Sequence, residues 1–130
     1  HLAEREGWGF GTLERGRALP EGLALVPREG AVLFDSVTAC LACQMFSGPQ
    51  PDAAAAARTA RELLTVSRHP RHFVCVCDEL WRDGVTYEPW TEHYRRGLAE
   101  ICRALAAEFD AVAELAAGCV RVWKGELPDA

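Results

Sequence analysis

Apolar and polar positions alternate in blocks along the chain, and these blocks predict strands and helices in turn. Residues 31–34 form an apolar run that ends at Asp35, a pattern typical of a buried parallel strand. Residues 72–77 repeat this form and end at Asp78-Glu79. Between the two strands, residues 37–46 are apolar almost all round, which predicts a short helix packed deep against the sheet.

The chain around these blocks carries further helix signals. Asp52 is a candidate N-cap for a helix that runs through the alanine-rich segment to about Ser67. Thr91 is a candidate cap for a longer helix, whose apolar residues recur at steps of three and four. These residues are Tyr94, Leu98, Ile101, Cys102, Leu105 and Phe109. We expect this stripe to belong to the core.

The two ends of the chain predict additional strands. Residues 11–14 are expected to form a short strand, and residues 15–27 an irregular connection with one short helical turn. Residues 111–117 predict a third strand after the long helix, and Gly118 a turn. Residues 120–123 alternate as an edge strand does. Strands that alternate with helices predict an α/β layered sheet with right-handed crossovers.

Carboxylates follow both central strands, at the edge where open α/β sheets bind ligands. We expect Asp35, Asp78 and Glu79 to meet at this edge of the sheet. Asp35 has two interpretations: it binds a metal ion or phosphate group, or it only caps the next helix. The polar and aromatic loop 80–90 is either an ordinary surface loop or a cover for a ligand.

Composition narrows the class of protein. The 130 residues suit one domain, and 49% hydrophobic residues suit a globular core. A net charge of -5 argues against a general nucleic-acid or anionic-membrane surface. No apolar run is long enough to span a membrane and no leader pattern precedes the first charges, so a cytoplasmic protein is expected.

Six cysteines raise the question of a metal or disulfide framework. They are Cys40, Cys43, Cys75, Cys77, Cys102 and Cys119. They fall within apolar patterns, which favours small buried hydrophobic residues in a reducing compartment. Cys40 and Cys43 have the spacing of zinc ligands, but no second pair completes the set. A cysteine-based zinc module is therefore the weaker interpretation.

The order of these motifs resembles one enzyme family, the bifunctional adenosylcobinamide kinase and adenosylcobinamide-phosphate guanylyltransferase of cobalamin biosynthesis. The matching residues, in order, are His1, Arg5, Trp8, Thr12-Leu13-Glu14, Asp35-Ser36-Val37-Thr38, Asp78-Glu79, Gly84, Tyr94-Arg95-Arg96, Gly118 and Lys124. The order and spacing hold over nearly the whole chain. No single motif is specific, and the ordered set carries the resemblance.

The resemblance implies a fold and a reaction. The fold would be a RecA-like layered sheet of the P-loop NTPase type, mostly parallel with an antiparallel edge strand. Residues 1–130 would form a single nucleotide-binding domain, the C-terminal two-thirds of the family domain. The enzyme would phosphorylate adenosylcobinamide with a nucleoside triphosphate, GTP or ATP, and then transfer GMP from GTP to the product. The resemblance also suggests a homo-oligomer.

The resemblance also assigns roles to residues. His1 matches the histidine that becomes guanylylated, and Asp35 matches the carboxylate that holds Mg²⁺. Further nucleotide-binding residues would be Arg5, Glu14, Thr38, Asp78 and Glu79. Without the resemblance, a terminal histidine is simply a solvated side chain.

Several features depart from the family pattern. Its phosphate-binding loop, Gly-x-x-x-x-Gly-Lys-Ser/Thr, does not occur in these residues and would lie just before His1. We therefore expect a longer natural chain or a diverged member, with an apolar sheet edge that invites association. Ser36 replaces the usual cysteine, Cys43 replaces a common asparagine, and the loop after Glu79 is longer. The alternative is a non-catalytic remnant that binds a corrinoid or a partner subunit through the open edge.

Overall fold

The computed structural model of the chain describes residue 7 and residues 9–128. A 3₁₀ helix at Leu19–Leu25 is followed by β1 (Ala31–Asp35), α1 (Val37–Phe46), α2 (Ala55–Ser67), β2 (His72–Val76), α3 (Pro89–Glu108), β3 (Val112–Ala116) and β4 (Cys119–Lys124). The alternation of strands and helices confirms a small α/β protein.

Strands β1 and β2 form a parallel pair, as their sequence pattern predicts. The register runs from Ala31 opposite His72 to Asp35 opposite Val76. Alternate residues, including Phe34 and Phe73, are half-buried toward the helices, while the residues between them are exposed. The prediction of fully buried strands is therefore wrong, because helices cover only one face of this sheet.

Strands β3 and β4 form a second, antiparallel sheet. They pair from Val112 opposite Lys124 to Ala116 opposite Cys119, with an irregularity next to Val112. Within residues 9–128, neither strand pairs with β1 or β2, so the described chain has two sheets of two strands instead of one layered sheet. Every residue of β4 is exposed, and the alternation in its sequence does not correspond to an alternation of burial.

The three helices pack on one another to form the core. The largest fully buried apolar side chains are Leu41 and Met45 from α1, Leu63 from α2, and Leu98 and Ile101 from α3. Burial of a side chain of this kind contributes roughly 1.5–3 kcal/mol, so the helix interfaces supply much of the stability. Helix α1 has the predicted bounds, and the stripe on α3 faces the core as predicted.

A glycine allows the close approach of α3 to its neighbours. A Cβ atom added to Gly97 would lie 2.9 Å from the Cβ of Ala56 on α2 and 3.2 Å from Cδ2 of Leu41 on α1. Real Cβ atoms do not tolerate the first of these distances. The missing side chain therefore sets the distance between the helices.

The helix caps differ from the predicted ones. Ser36 caps α1, since its Oγ accepts from the amide of Ala39 at 3.2 Å. Glu88, not Thr91, caps α3, because the helix begins at Pro89 and the Glu88 carboxylate accepts from the amide of Thr91 at 2.6 Å. Asp52 accepts from the amide of Ala54 at 2.9 Å, in the turn that leads into α2.

The segment before β1 is less regular than predicted. Residues 11–14 do not form a strand, since no described strand lies beside them to complete a ladder. The expected short helical turn within residues 15–27 is confirmed as the 3₁₀ helix. No helix in the described part of the chain combines the length and apolar character needed to cross a membrane.

Candidate functional site

The carboxyl ends of β1 and β2 bring together the segments that carry the predicted site residues. Asp35 is the last residue of β1 and is exposed, and its register partner Val76 ends β2 two residues before Asp78. Within the described residues, the Asp35 carboxylate has no hydrogen-bond or ion-pair partner. Because Ser36 caps α1, Asp35 is available to a ligand and is not the helix cap.

Thr38 connects the two strand ends directly. Its hydroxyl accepts a hydrogen bond from the backbone amide of Asp78 at 2.9 Å, across 40 positions of sequence. Its backbone carbonyl accepts a hydrogen bond from the Tyr94 hydroxyl at 2.8 Å. The first turn of α1, the segment after β2 and helix α3 therefore meet at one residue.

Glu79 takes part in a chain of charges that reaches the second sheet. Its carboxylate lies 2.5 Å from Nε of Arg82, and Nη1 of Arg82 lies 3.5 Å from Glu114 on β3. The Arg82 side chain is 64% exposed, so solvent screens both ion pairs and each contributes little stability. Asp78 and Glu79 are themselves exposed and leave an acidic rim that favours cations over free phosphate.

Four thiols lie near the strand ends. Burial raises the pKa of Cys75 to about 12 and the pKa of Cys40 to about 11, which keeps both thiols protonated at neutral pH. A hydrogen bond with the Cys102 thiol lowers the pKa of Cys77, and the Thr38 hydroxyl, 3.9 Å from the Cys77 sulfur, acts in the same direction. All six cysteines are free.

A cleft of about 890 Å³ lies between residues 10–16 and strand β1. Its lining includes Glu14, Arg15, Asp35 and Ser36, together with apolar side chains from β1 and the 3₁₀ helix. This volume falls within the range typical of small-molecule sites. Thr38, Asp78 and Glu79 are not part of the lining, so Asp35 is the predicted residue that belongs to both the cleft and the strand ends.

The predicted site residues thus fall into three groups. Thr38 contacts Asp78, which Glu79 directly follows in the chain, whereas Asp35 and Glu14 line the same cleft. His1 and Arg5 lie outside the described residues. Residues 7 and 9–128 contain no group of three or more metal-ligating side chains that could hold an ion. Cys40 and Cys43 therefore do not belong to such a group within these residues.

Two residues next to the site were not predicted to have a role there. Tyr94 bonds to Thr38, and Arg95 is buried with its guanidinium turned toward the loop after β2. A signal for Arg95 does exist in the sequence. It occupies the apolar stripe of α3, three residues before Leu98, where a cation requires partners.

Comparison with known protein families matches residues 1–122 to the cobinamide kinase / cobinamide phosphate guanyltransferase family. The chain belongs to this family. The match confirms the resemblance drawn from the ordered motifs. No curated protein matches the chain.

Membership assigns the chain to a pathway and a substrate class. The family acts in cobalamin biosynthesis, as a kinase and a nucleotidyltransferase on cobinamide, with nucleoside triphosphates as its other substrates. A parallel strand pair with carboxylates beyond its ends suits such substrates, because ligands of α/β sheets bind at this edge.

Proposed function

We propose that the protein phosphorylates adenosylcobinamide and then transfers GMP from GTP to adenosylcobinamide phosphate through a guanylylated His1. The family match over residues 1–122 carries this proposal, and the grouping of Asp35, Thr38 and Asp78 at two neighbouring strand ends supports it. The domain would be a single RecA-type nucleotide-binding unit over residues 1–130.

The transfer consists of two displacements at phosphorus. A neutral imidazole nitrogen of His1 attacks the α-phosphorus of GTP, an N–P bond forms, and pyrophosphate leaves with the electrons of the broken P–O bond. A phosphate oxygen of the cobinamide phosphate then attacks the same phosphorus. The N–P bond breaks, and the histidine regains its neutral form.

The side chains at this edge of the sheet are compatible with a Mg²⁺ ion that is bound mainly by phosphate oxygens and water. Mg²⁺ usually binds through one or two carboxylates and keeps several waters, so the exposed carboxylate of Asp35 suffices without a preformed cluster. The ion would offset phosphate charge at this edge. Thr38 would then support the bound group from the first turn of α1.

The remaining predicted residues would bind the nucleotide at the same edge of the sheet. Glu14 would face the nucleotide across the cleft, and Asp78 and Glu79 would contact it from the segment after β2. Arg5 would place a cation next to the phosphates.

The test is a search for the covalent intermediate. The full natural protein, incubated with GTP and Mg²⁺, is expected to gain the mass of one GMP, with a bond that acid breaks and alkali preserves. His1→Ala should abolish the adduct, and Asp35→Asn should slow its formation about a hundredfold or more because phosphate charge is no longer offset. His72→Ala, altered at an exposed histidine on β2, is the matched control.

The outcomes separate the proposal from its alternative. A protein that remains unlabelled, or a His1→Ala variant that still becomes labelled, contradicts the proposed function. Calorimetry that detects cobinamide binding without GTP binding would instead support a non-catalytic corrinoid-binding protein. Removal of Mg²⁺ with EDTA should prevent the adduct while leaving the fold intact.

A further inference from the structure

The loop between Glu79 and α3 has little regular structure, yet one buried cation holds it at several points. Arg95 is only 8% exposed. Its Nε donates to the Leu80 carbonyl at 2.6 Å, and its Nη1 donates to the Val85 carbonyl at 2.9 Å. Its Nη2 donates to the Asp83 carboxylate at 2.7 Å. The guanidinium therefore binds the loop at its start and at two positions near its middle.

Two carboxylates accompany the charge of Arg95 within the same group. Asp83 supplies one carboxylate, and Glu92 supplies the other at 2.8 Å from Nη1. The Tyr87 ring lies 4.7 Å from the guanidinium carbon, so the cation also has an aromatic face against it. A buried guanidinium with all these partners has one favourable position, because loss of any partner leaves a buried charge or donor unpaired.

The loop partners of Arg95 are fixed in turn. Asp83 accepts from the Val85 amide at 3.0 Å and from the Tyr87 hydroxyl at 2.5 Å. The Tyr87 hydroxyl and the Val85 amide together lower the pKa of Asp83, which keeps its carboxylate ionised toward Arg95. The Tyr87 amide donates to Glu92 at 2.8 Å. The network leaves the loop few alternative conformations.

Tyr94, the residue before Arg95, contacts the segment that follows β1. Tyr94 donates its hydroxyl to the Thr38 carbonyl at 2.8 Å, and the Thr38 hydroxyl accepts from the Asp78 amide at 2.9 Å. Burial raises the pKa of Tyr94, so this hydroxyl stays protonated and able to donate. Consecutive residues of α3 thus fix the segments that follow β1 and β2.

We infer that Tyr94 and Arg95 are positioning residues, which set the placement of Thr38 and of the Asp78-Glu79 pair and thereby determine how tightly the site holds a nucleoside triphosphate. The inference rests on the proposed function for the role of these site residues. Arg95 acts through Leu80, the residue directly after Glu79, and Tyr94 acts through Thr38. Neither side chain needs to touch the nucleotide.

The test compares KM with kcat for the complete transfer of GMP from GTP to adenosylcobinamide phosphate in the full natural protein. Arg95→Met should raise the KM for GTP about tenfold or more, since displaced binding groups cost affinity, while kcat changes less. Arg95→Lys keeps the charge and should be intermediate, because one ammonium cannot span the three loop acceptors. Tyr94→Phe should raise KM about fivefold, the equivalent of one hydrogen bond.

Two further variants keep the test independent of folding defects. Asp83→Asn alters the loop partner, which is more exposed than Arg95, and should also raise KM. Arg96→Met, at the exposed neighbour of Arg95, should leave both KM and kcat unchanged. A purely structural role would reduce the folded fraction, which lowers the apparent kcat and leaves KM as it was.

A second measurement examines the loop without nucleotide. Hydrogen exchange at the Val85 and Tyr87 amides should accelerate in Arg95→Met and Asp83→Asn, and not in Arg96→Met. Wild-type protein that forms no adduct overturns the proposed function and the positioning role with it. Adduct formation with an unchanged KM in Tyr94→Phe, Arg95→Met and Asp83→Asn overturns the positioning role alone, as does unchanged exchange of the two amides.

Discussion

At the scale of single residues, the structure separates groups that look alike in the sequence. Asp35 and Ser36 are neighbours, and either could cap α1 by its residue type. The structure gives the cap to Ser36, which leaves Asp35 exposed at the end of β1. Residue type alone could not decide this, because capping depends on which side chain oxygen points at the amides of the first turn.

The cysteines provide a pH-dependent prediction at the same scale. Burial raises the pKa of Cys40 from 9.0 to about 11, whereas in the unfolded chain it ionises near 9.0. Between these values the unfolded state loses a proton that the folded state keeps, so this contribution to stability is complete below pH 9 and is lost as the pH rises to 11. Burial raises the pKa of Cys75 to about 12, so its contribution to stability is also lost as the pH rises.

We therefore expect the free energy of unfolding to fall between pH 9 and pH 11, and Cys40→Ala to remove about 2 kcal/mol of that fall. Urea unfolding at several pH values measures the slope of the free energy of unfolding against pH in the wild type and in Cys40→Ala. Cys119→Ala, altered at an exposed thiol, is the matched control and should keep the slope of the wild type. Equal slopes in Cys40→Ala and the wild type would contradict the assignment.

At the scale of elements, the helices follow from the sequence more closely than their ends do. The apolar pattern predicts α1 at its observed bounds, and the stripe on α3 places Leu98, Ile101 and Leu105 in the core. The N-cap of α3 shifts from Thr91 to Glu88, because Glu88 reaches the free amides first. Periodicity reports the face of a helix, whereas its end depends on one local hydrogen bond.

The contact of α3 with α2 gives a prediction at this scale. Gly97→Ala improves helix propensity by about 1 kcal/mol, but the added Cβ collides with Ala56 at 2.9 Å. Overpacking of this kind costs roughly 1–3 kcal/mol, so we expect a net loss of about 1 kcal/mol in the free energy of unfolding. Denaturant unfolding measures the loss.

Two comparisons isolate the collision. Gly48→Ala introduces a Cβ in ordinary contact, 3.6 Å from the Gln50 carbonyl, and should change stability little. In the double variant Ala56→Gly with Gly97→Ala, the collision is relieved, and the two changes should be less destabilising together than their sum. Strict additivity would show that Ala56 does not limit the approach of the helices.

At the scale of the whole molecule, the sequence predicts the four observed strands but not their assembly into sheets. The parallel direction of β1 and β2 follows from two similar apolar runs joined by helices. The grouping of strands into separate sheets does not follow, because strand pairing depends on neighbours that are distant in sequence. The same reason explains the missed contact between Tyr94 and Thr38, which are 56 positions apart.

The outer face of the parallel sheet carries exposed apolar side chains between His72 at one end and Asp35 at the other. Leu33 is 45% exposed, and Val74, its direct register partner, is 57% exposed. Val76 on the same face is 43% exposed. Exposed apolar faces on short sheets favour association, so we expect the 130-residue chain to form dimers or larger species as its concentration rises.

Sedimentation velocity over a range of concentrations tests this expectation. The double variant Leu33→Thr with Val74→Thr keeps residues suited to strands and should remain monomeric where the wild-type chain associates. Its free energy of unfolding should change little, since both side chains already face solvent. Val120→Thr makes a matched apolar-to-polar change on the exposed strand β4 and should leave association as it was. A wild-type chain that stays monomeric, or a double variant that associates equally, would show that this face does not mediate contact between copies.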